Sequence, residues 1–234
     1  MSQVPSVRPV WAAKAIVRAV WVAAGESPEW IAARTDALLS ELGAAFDIED
    51  WQTPEGRRWE GSPDELTEIV RSHVITGMFG EPEPESGYGF TVSGAGPRVG
   101  FHVHVAAGLI SPGGRIPGHH LTIDLREMVV GGSTSQTADT VCAAVAQTWE
   151  PSVLDLADSP VNRTARRGNW KIGVGYRLWI SEEVGAIAEL AEGLTSAPLA
   201  KGTLVSAPDD WPAERVVAAM TQTLAANGLD EVPH

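Results

Sequence analysis

The chain has 234 residues, of which 30 are aspartate or glutamate and 17 are lysine or arginine, so its formal net charge is −13. A hydrophobic fraction of 44% is typical of a globular protein and argues against global disorder. The negative charge disfavours partners such as nucleic acids and anionic membranes, and the single cysteine, Cys142, excludes an intramolecular disulfide and a cysteine-cluster zinc site.

The beginning of the chain predicts an arm, a strand and a helix. Residues 1–14 are expected to form a flexible arm, because the first ten hold two prolines and no long apolar run. The segment Ala15–Val22 is rich in β-branched and aromatic residues, which is typical of a buried strand. Ser27 is a good N-cap and Pro28 suits the first helical position, so a helix is predicted over residues 28–43.

A second helix and an acidic irregular segment follow. Ser62 and Glu65 have the spacing of a capping box, which predicts a helix over residues 63–74. Residues 77–89 are predicted to be irregular, because the run Glu81-Pro82-Glu83-Pro84-Glu85 cannot form a regular helix or a central strand.

The middle of the chain predicts a group of strands and a third helix. The strand candidates are Phe90–Ser93, Val99–Ala106 and His120–Arg126. Glycine and proline in residues 111–118 predict a hairpin loop between the last two of them. Apolar residues on one face then predict a helix over residues 137–149.

The last third predicts further strands and a final helix. Strands are predicted over Val153–Leu156, Trp170–Ile180 and Thr203–Ser206, and a basic loop over residues 163–167. The run Asp209-Asp210-Trp211-Pro212 precedes a helix predicted over residues 212–226.

This order of elements predicts an α+β fold with a mostly antiparallel sheet and helices packed on one face. We expect a single compact domain over residues 15–234, with two similar α/β lobes as the alternative. Because strand residues two apart share a face, His102 and His104 are predicted to lie together on the more polar face of the sheet.

The histidine pair is the strongest candidate for a chemical site. Residues on one strand face can chelate a metal, and His120 or Asp124 could supply a third ligand from the neighbouring strand. A solvated polar sheet face explains the same residues without chemistry, and no metal-binding motif accompanies them. We therefore expect no metal, no cofactor and no catalytic residues, and keep a metal-dependent or small-molecule enzyme as the alternative function.

Acidic and aromatic residues are the candidates for binding a partner. The run of Glu81, Glu83 and Glu85, and the pair Asp209 and Asp210, offer negative charge to a basic protein. Trp51 and Trp59 lie in polar surroundings in the sequence and could supply an apolar anchor. The alternatives are solvated loops, helix-end carboxylates and core tryptophans.

Short segments along nearly the whole chain resemble the immunity protein 52 family of bacterial polymorphic toxin systems. The segments that carry the resemblance are Ala15–Val22 with Gly25-Glu26-Ser27-Pro28-Glu29, Leu38-Leu39, Trp51, Trp59 with Asp64-Glu65-Leu66, Trp170-Lys171-Ile172-Gly173-Val174-Gly175, Gly202-Thr203-Leu204-Val205, and Leu224-Ala225-Ala226-Asn227-Gly228-Leu229. Residues 77–135 do not match.

The resemblance implies a cytoplasmic, non-enzymatic protein that binds a cognate toxin domain and neutralises it. No catalytic residue carries over from the family. The absence of a targeting segment agrees with a cytoplasmic location, since the apolar stretch Ala12–Ala24 is interrupted by Lys14 and Arg18 and is too short to span a bilayer.

Overall fold

Nine antiparallel strands form one open sheet in the computed structural model, which describes residues 8–234. The strands are β1 Lys14–Trp21, β2 Trp51–Gln52, β3 Tyr88–Ala95, β4 Val99–Ala107, β5 His119–Glu127, β6 Val153–Ala157, β7 Arg177–Ser181, β8 Thr195–Leu199 and β9 Gly202–Ser206. The α-helices are α1 Pro28–Phe46, α2 Pro63–Arg71, α3 Ser135–Trp149, α4 Ser159–Ala165 and α5 Ala213–Ala226. The strand order is β2-β3-β4-β5-β1-β6-β7-β9-β8, which confirms the predicted α+β class and antiparallel sheet.

Local capping sets the boundaries of the first two helices. The side chain of Ser27 accepts a hydrogen bond from the backbone N–H of Trp30 at the start of α1. Ser62 and Glu65 form the reciprocal capping box predicted for α2. The helix α1 ends where Asp47 adopts a left-handed φ of 55°, three residues beyond the predicted end.

One face of the sheet lies beneath helices α1, α2 and α3. Phe101 on β4 and Trp21 on β1 both point to this side. The ring of Phe46, at the end of α1, lies 5.2 Å from that of Phe101, and the ring of Trp149 of α3 lies 5.0 Å from that of Trp21. This layer of apolar and aromatic side chains is the larger part of the core.

The opposite face of the sheet is covered over about half of its width. Asn162 and Ala165 of α4 face Arg18 on β1 and Asp155 on β6, and α4 in turn packs against α5. The helices were predicted on one face only, whereas the structure places α4 on the other. The reason is that β6 and β7 are buried at every position, so both of their faces need cover.

Two segments of the second half differ from their predictions. Of the strand predicted over Trp170–Ile180, only the part from Arg177 onward pairs with the sheet, as β7. The preceding backbone packs against β6 instead, where Gly173 lies against Asp155 and Gly175 against Leu156. The basic loop predicted at residues 163–167 overlaps α4, which is capped by Asp158. The strands β2 and β8 were not predicted.

The N-terminal segment is packed where the structure describes it. Residues 1–7 of the predicted arm lie outside the described residues. Trp11 is buried, and its Nε1 donates a 2.8 Å hydrogen bond to Asp209. A single cluster of buried apolar side chains extends from Trp11 to Val232, so the described chain has one continuous core.

A buried acid–base pair joins the loop before α1 to the start of β5. Glu26 Oε2 lies 2.9 Å from Nδ1 of His119, which is fully buried, and Glu26 also accepts a hydrogen bond from Trp21. Burial opposes both charges, but the close approach and attraction of the two groups outweigh it. The pKa of His119 is therefore raised above 6.5 and that of Glu26 is lowered below 4.5.

We expect the variant His119→Gln to lose about 3–5 kcal/mol of unfolding free energy near pH 5.5, because it leaves Glu26 buried without its partner. The contribution of His119 is complete below its unfolded pKa and is lost as pH rises through the raised folded pKa. That of Glu26 is complete above its unfolded pKa and is lost as pH falls through the lowered folded pKa. The difference in unfolding free energy between wild type and variant, measured by urea unfolding, should therefore be largest between pH 4.5 and 6.5.

His73→Gln is the matched control, because His73 pairs with the exposed Glu55 at 3.5 Å. Its effect should stay below about 1 kcal/mol. A His119→Gln penalty that does not change with pH would show that the pair makes no ionic contribution.

Candidate functional site

The acidic hairpin, residues 74–88, projects between α2 and β3. Two isolated β-bridges, Val74 with Tyr88 and Thr76 with Pro82, hold its arms together. A tight turn closes its end, where the N–H of Gly80 donates to the carbonyl of Gly77. Residues 77–89 were predicted to be irregular, and the bridges show a short hairpin with a 3₁₀ turn at Pro84–Ser86.

Two large apolar residues form the tip of the acidic hairpin. Met78 is 92% exposed and Phe79 is 91% exposed, more than any other large hydrophobic residue of the described chain. Sequence reasoning missed this apolar tip because the pair has no helical or strand periodicity. The available signal was an apolar pair between Gly77 and Gly80, since a glycine-bounded turn that carries Met and Phe exposes them.

The carboxylates predicted to bind a partner all follow this tip, on the returning arm of the hairpin and in its 3₁₀ turn. Glu81 accepts a 3.1 Å hydrogen bond from the N–H of Phe79, and Glu83 accepts one of 3.0 Å from the hydroxyl of Ser86. Glu81 and Glu85 are exposed and Glu83 is half-buried. The three carboxylates form no ion pair with any of residues 8–234, so their charge is available to a cationic group.

A second loop extends the apolar surface beside the hairpin. The N–H of Ile110 donates a 3.1 Å hydrogen bond to the carbonyl of Glu85, which places the β4–β5 loop against the hairpin. Ile110 and Ile116 of this loop are also exposed. Trp170 fixes the loop from below by donating from Nε1 to the carbonyl of Gly114 at 2.8 Å.

Trp51 and Trp59 are buried, which corrects their predicted role as an exposed apolar anchor. Each is only 7% exposed. Trp59 stacks on Phe90 of β3 at 5.6 Å, and Trp51 lies 6.3 Å from Phe101. Most of the polar residues that flank them in the sequence are exposed, while the two indole rings point into the core. Their visible role is to support β3, the strand that follows the hairpin.

Asp209 and Asp210 have different environments. Asp209 accepts hydrogen bonds from the guanidinium of Arg177, from Trp11 and from the hydroxyl of Ser135. Arg177 is 3% exposed and also donates to Asp139 of α3 at 2.6 Å, so Asp209 belongs to a buried network. Asp209 was predicted to bind a partner, but its carboxylate already bonds to Arg177, Trp11 and Ser135 within the fold. Asp210 is exposed.

The two neighbours make a direct test of this difference. The variant Asp209→Ala is expected to lose about 3–5 kcal/mol of unfolding free energy, because Arg177 would keep its charge in a buried site with one partner fewer. Asp210→Ala is expected to change it by no more than about 0.5 kcal/mol. Equal midpoints and slopes for both variants in urea unfolding would contradict the network.

The histidine pair lies on the uncovered polar half of the sheet. His102 and His104 share one face, where the Nδ1 of His102 is 2.7 Å from the hydroxyl of Ser93. The rings of His104 and His120 are 5.9 Å apart, and burial together with the charge of His104 lowers the pKa of His120. Among residues 8–234 there is no group of three or more His, Cys, Asp or Glu side chains arranged to hold a metal ion.

Comparison with known proteins gives a likeness of fold. No family model matches the chain, and no curated protein matches it significantly. Among solved structures, the Pseudomonas aeruginosa T6SS protein PA0821 is similar, with a TM-score of 0.51 and 9% sequence identity over 91% of this chain and 72% of that one. At this identity the likeness concerns the fold, and membership of the immunity protein 52 family stays a prediction.

Within the described residues, none of the helices has the length and apolar character needed to cross a membrane.

Proposed function

We propose that this chain is a non-enzymatic immunity protein that binds a bacterial toxin domain and blocks it with the acidic hairpin. The observation that carries the proposal is the exposed apolar tip of Met78 and Phe79, followed along the same hairpin by carboxylates that have no cationic partner among the described residues. A folded protein gains no stability from exposing a phenylalanine, so this arrangement is better explained by a partner that covers it.

The carboxylates suit a basic partner. The net charge of −13 favours encounter with a positively charged protein, and Glu81, Glu83 and Glu85 concentrate part of that charge on a projecting element. Complementary charge raises association rates from about 10⁵–10⁶ to about 10⁸–10⁹ M⁻¹s⁻¹ at low salt. Rapid capture is useful to an immunity protein, because the toxin must be bound before it acts.

The apolar tip suits the centre of such an interface. Binding energy is usually concentrated in a few aromatic or large residues enclosed by a polar rim. Phe79 and Met78 would be enclosed, the glutamates would form the rim, and Ile110 would extend the contact along the neighbouring loop. This assigns the anchor to the hairpin itself in place of Trp51 and Trp59.

The likeness to a T6SS protein supports a bacterial secretion context for this proposal. The likeness concerns fold alone, and a fold can serve unrelated functions. The hairpin therefore gives the proposal its specific content, and a toxin domain encoded beside this gene would be the partner to test.

Replacing Glu81, Glu83 and Glu85 by lysine is expected to slow association with that toxin domain at least tenfold at low salt and to weaken the salt dependence of the rate. The matched control replaces Glu182, Glu189 and Glu192 by lysine, which changes the net charge equally on exposed residues elsewhere. Stopped-flow association at two salt concentrations measures both variants.

Equal slowing by the two triple variants would show that net charge acts without the hairpin. The same variants test function in cells, where the hairpin variant should lose protection against the toxin and the control should keep it. A variant His102→Gln/His104→Gln is expected to protect fully. Loss of protection with unchanged toxin binding would favour the enzymatic alternative on the histidine face.

The variant Met78→Ser/Phe79→Ser is expected to weaken toxin binding by about 2 kcal/mol or more, roughly 30-fold in Kd, because it removes the apolar anchor that the toxin would enclose. Its unfolding free energy should change by less than about 0.5 kcal/mol, since both residues are exposed. Val130→Ser, at an 88% exposed position in the β5–α3 loop, is the control. Calorimetric titration with unchanged affinity would remove the tip from the interface.

A further inference from the structure

Two opposite charges face each other on the second face of the sheet without touching. Arg18 of β1 and Asp155 of β6 are directly paired in the antiparallel register, so their side chains leave the sheet on the same side. Neither side chain makes a hydrogen bond or an ion pair with any of residues 8–234. A short gap therefore separates an unpaired guanidinium from an unpaired carboxylate.

The gap is a small cavity of about 80 Å³ with both polar and apolar walls. Thr122 on β5, Asn162 on α4 and Arg167 are the other polar residues that line it. Arg167 is already committed, since it donates to the carbonyl of Ile172 and to Asp230. The cavity exceeds the roughly 10–15 Å³ that one water needs and is far below the roughly 300–1,000 Å³ of drug-sized sites.

Asp155 is an unusual residue because its carboxylate is buried and has no bonding partner among the described residues. The residue is 8% exposed, and burial raises the pKa of its carboxyl to about 7, against the opposing effect of Arg18. Gly173 closes the site from above, since a Cβ on this residue would collide with the Asp155 carboxylate. A buried acid without a partner destabilises the fold, so a group that pairs with it in the cavity would give it a role.

We propose that this cavity binds a small zwitterion of the α-amino acid type, with the carboxylate of the ligand on Arg18 and its ammonium on Asp155. A simple anion would pair with Arg18 and be repelled by an ionised Asp155. A simple cation would pair with Asp155 and be repelled by Arg18. A ligand that carries both charges a few bonds apart satisfies both side chains, and the hydroxyl of Thr122 and the amide of Asn162 can complete its hydrogen bonds. The volume restricts the ligand to one with few heavy atoms, such as glycine or alanine.

The cavity is separate from the acidic hairpin, so this proposal does not depend on the toxin-binding function. It is tested on the full chain by isothermal calorimetry and by NMR chemical-shift changes at pH 8, with glycine, alanine, acetate and methylammonium as separate probes. Glycine or alanine is expected to bind at least tenfold more tightly than acetate or methylammonium. The shifts should centre on residues that line the cavity, including Val174 and Thr122.

Variants test whether glycine binds in this cavity or elsewhere on the protein. Arg18→Gln and Asp155→Asn should each weaken glycine binding at least tenfold, while His102→Gln, on the same sheet face, should leave it unchanged. Gly173→Ala should abolish binding, and circular dichroism of each variant checks that the fold is retained.

Three results would overturn the proposal: no binding of any probe at 10 mM, equal binding of acetate and glycine, or glycine binding that survives both Arg18→Gln and Asp155→Asn. The first would mean that the cavity holds only water. The second would mean a plain anion site on Arg18.

Discussion

The arrangement of the second half of the molecule depends on the buried guanidinium of Arg177. This group lies on β7 and is bound by Asp139 of α3 and by Asp209 of the β9–α5 connection. Asp209 extends the network to the N-terminal segment through Trp11. Burial opposes the charge, but these carboxylates outweigh it and raise the pKa of Arg177. Since a buried ion pair gives little net stability over an apolar packing, we infer that the network mainly fixes how these segments are placed relative to one another.

That placement accounts for the unequal cover of the sheet. With α3 held against one face of β7, the connection from Asp209 leads α5 away from it, and α5 packs with α4. The other half of the second face, on β3, β4 and β5, is left without a helix and carries His102 and His104. The cavity between Arg18 and Asp155 lies at the boundary, where α4 meets the open half. Its small size follows from the way Gly173 and α4 close over it.

Local signals in the sequence predicted much of the fold and less of the candidate surfaces. The caps of α1 and α2 and the alternation in β4 and β5 involve residues close in sequence, so they are readable without a structure. The helix α4 has only seven residues and no apolar periodicity to reveal it. The burial of Trp51 and Trp59, and the engagement of Asp209 by Arg177, depend on residues brought together by the tertiary fold. The cavity likewise joins residues 18, 122, 155 and 173, which no spacing connects.

The acidic hairpin combines two features that each oppose folding, and their coincidence is the main argument for a partner. The carboxylates of Glu81 and Glu83 both crowd Gly77, where a Cβ would collide with either of them. Like charges held close together repel one another, and the adjacent Phe79 exposes apolar surface to water. A cationic group that approaches the glutamates relieves the first cost, and enclosure of the tip relieves the second. Binding of a basic protein with an apolar pocket would therefore recover free energy at both places, whereas a small anion or the phosphates of a nucleic acid would not relieve the repulsion between the carboxylates.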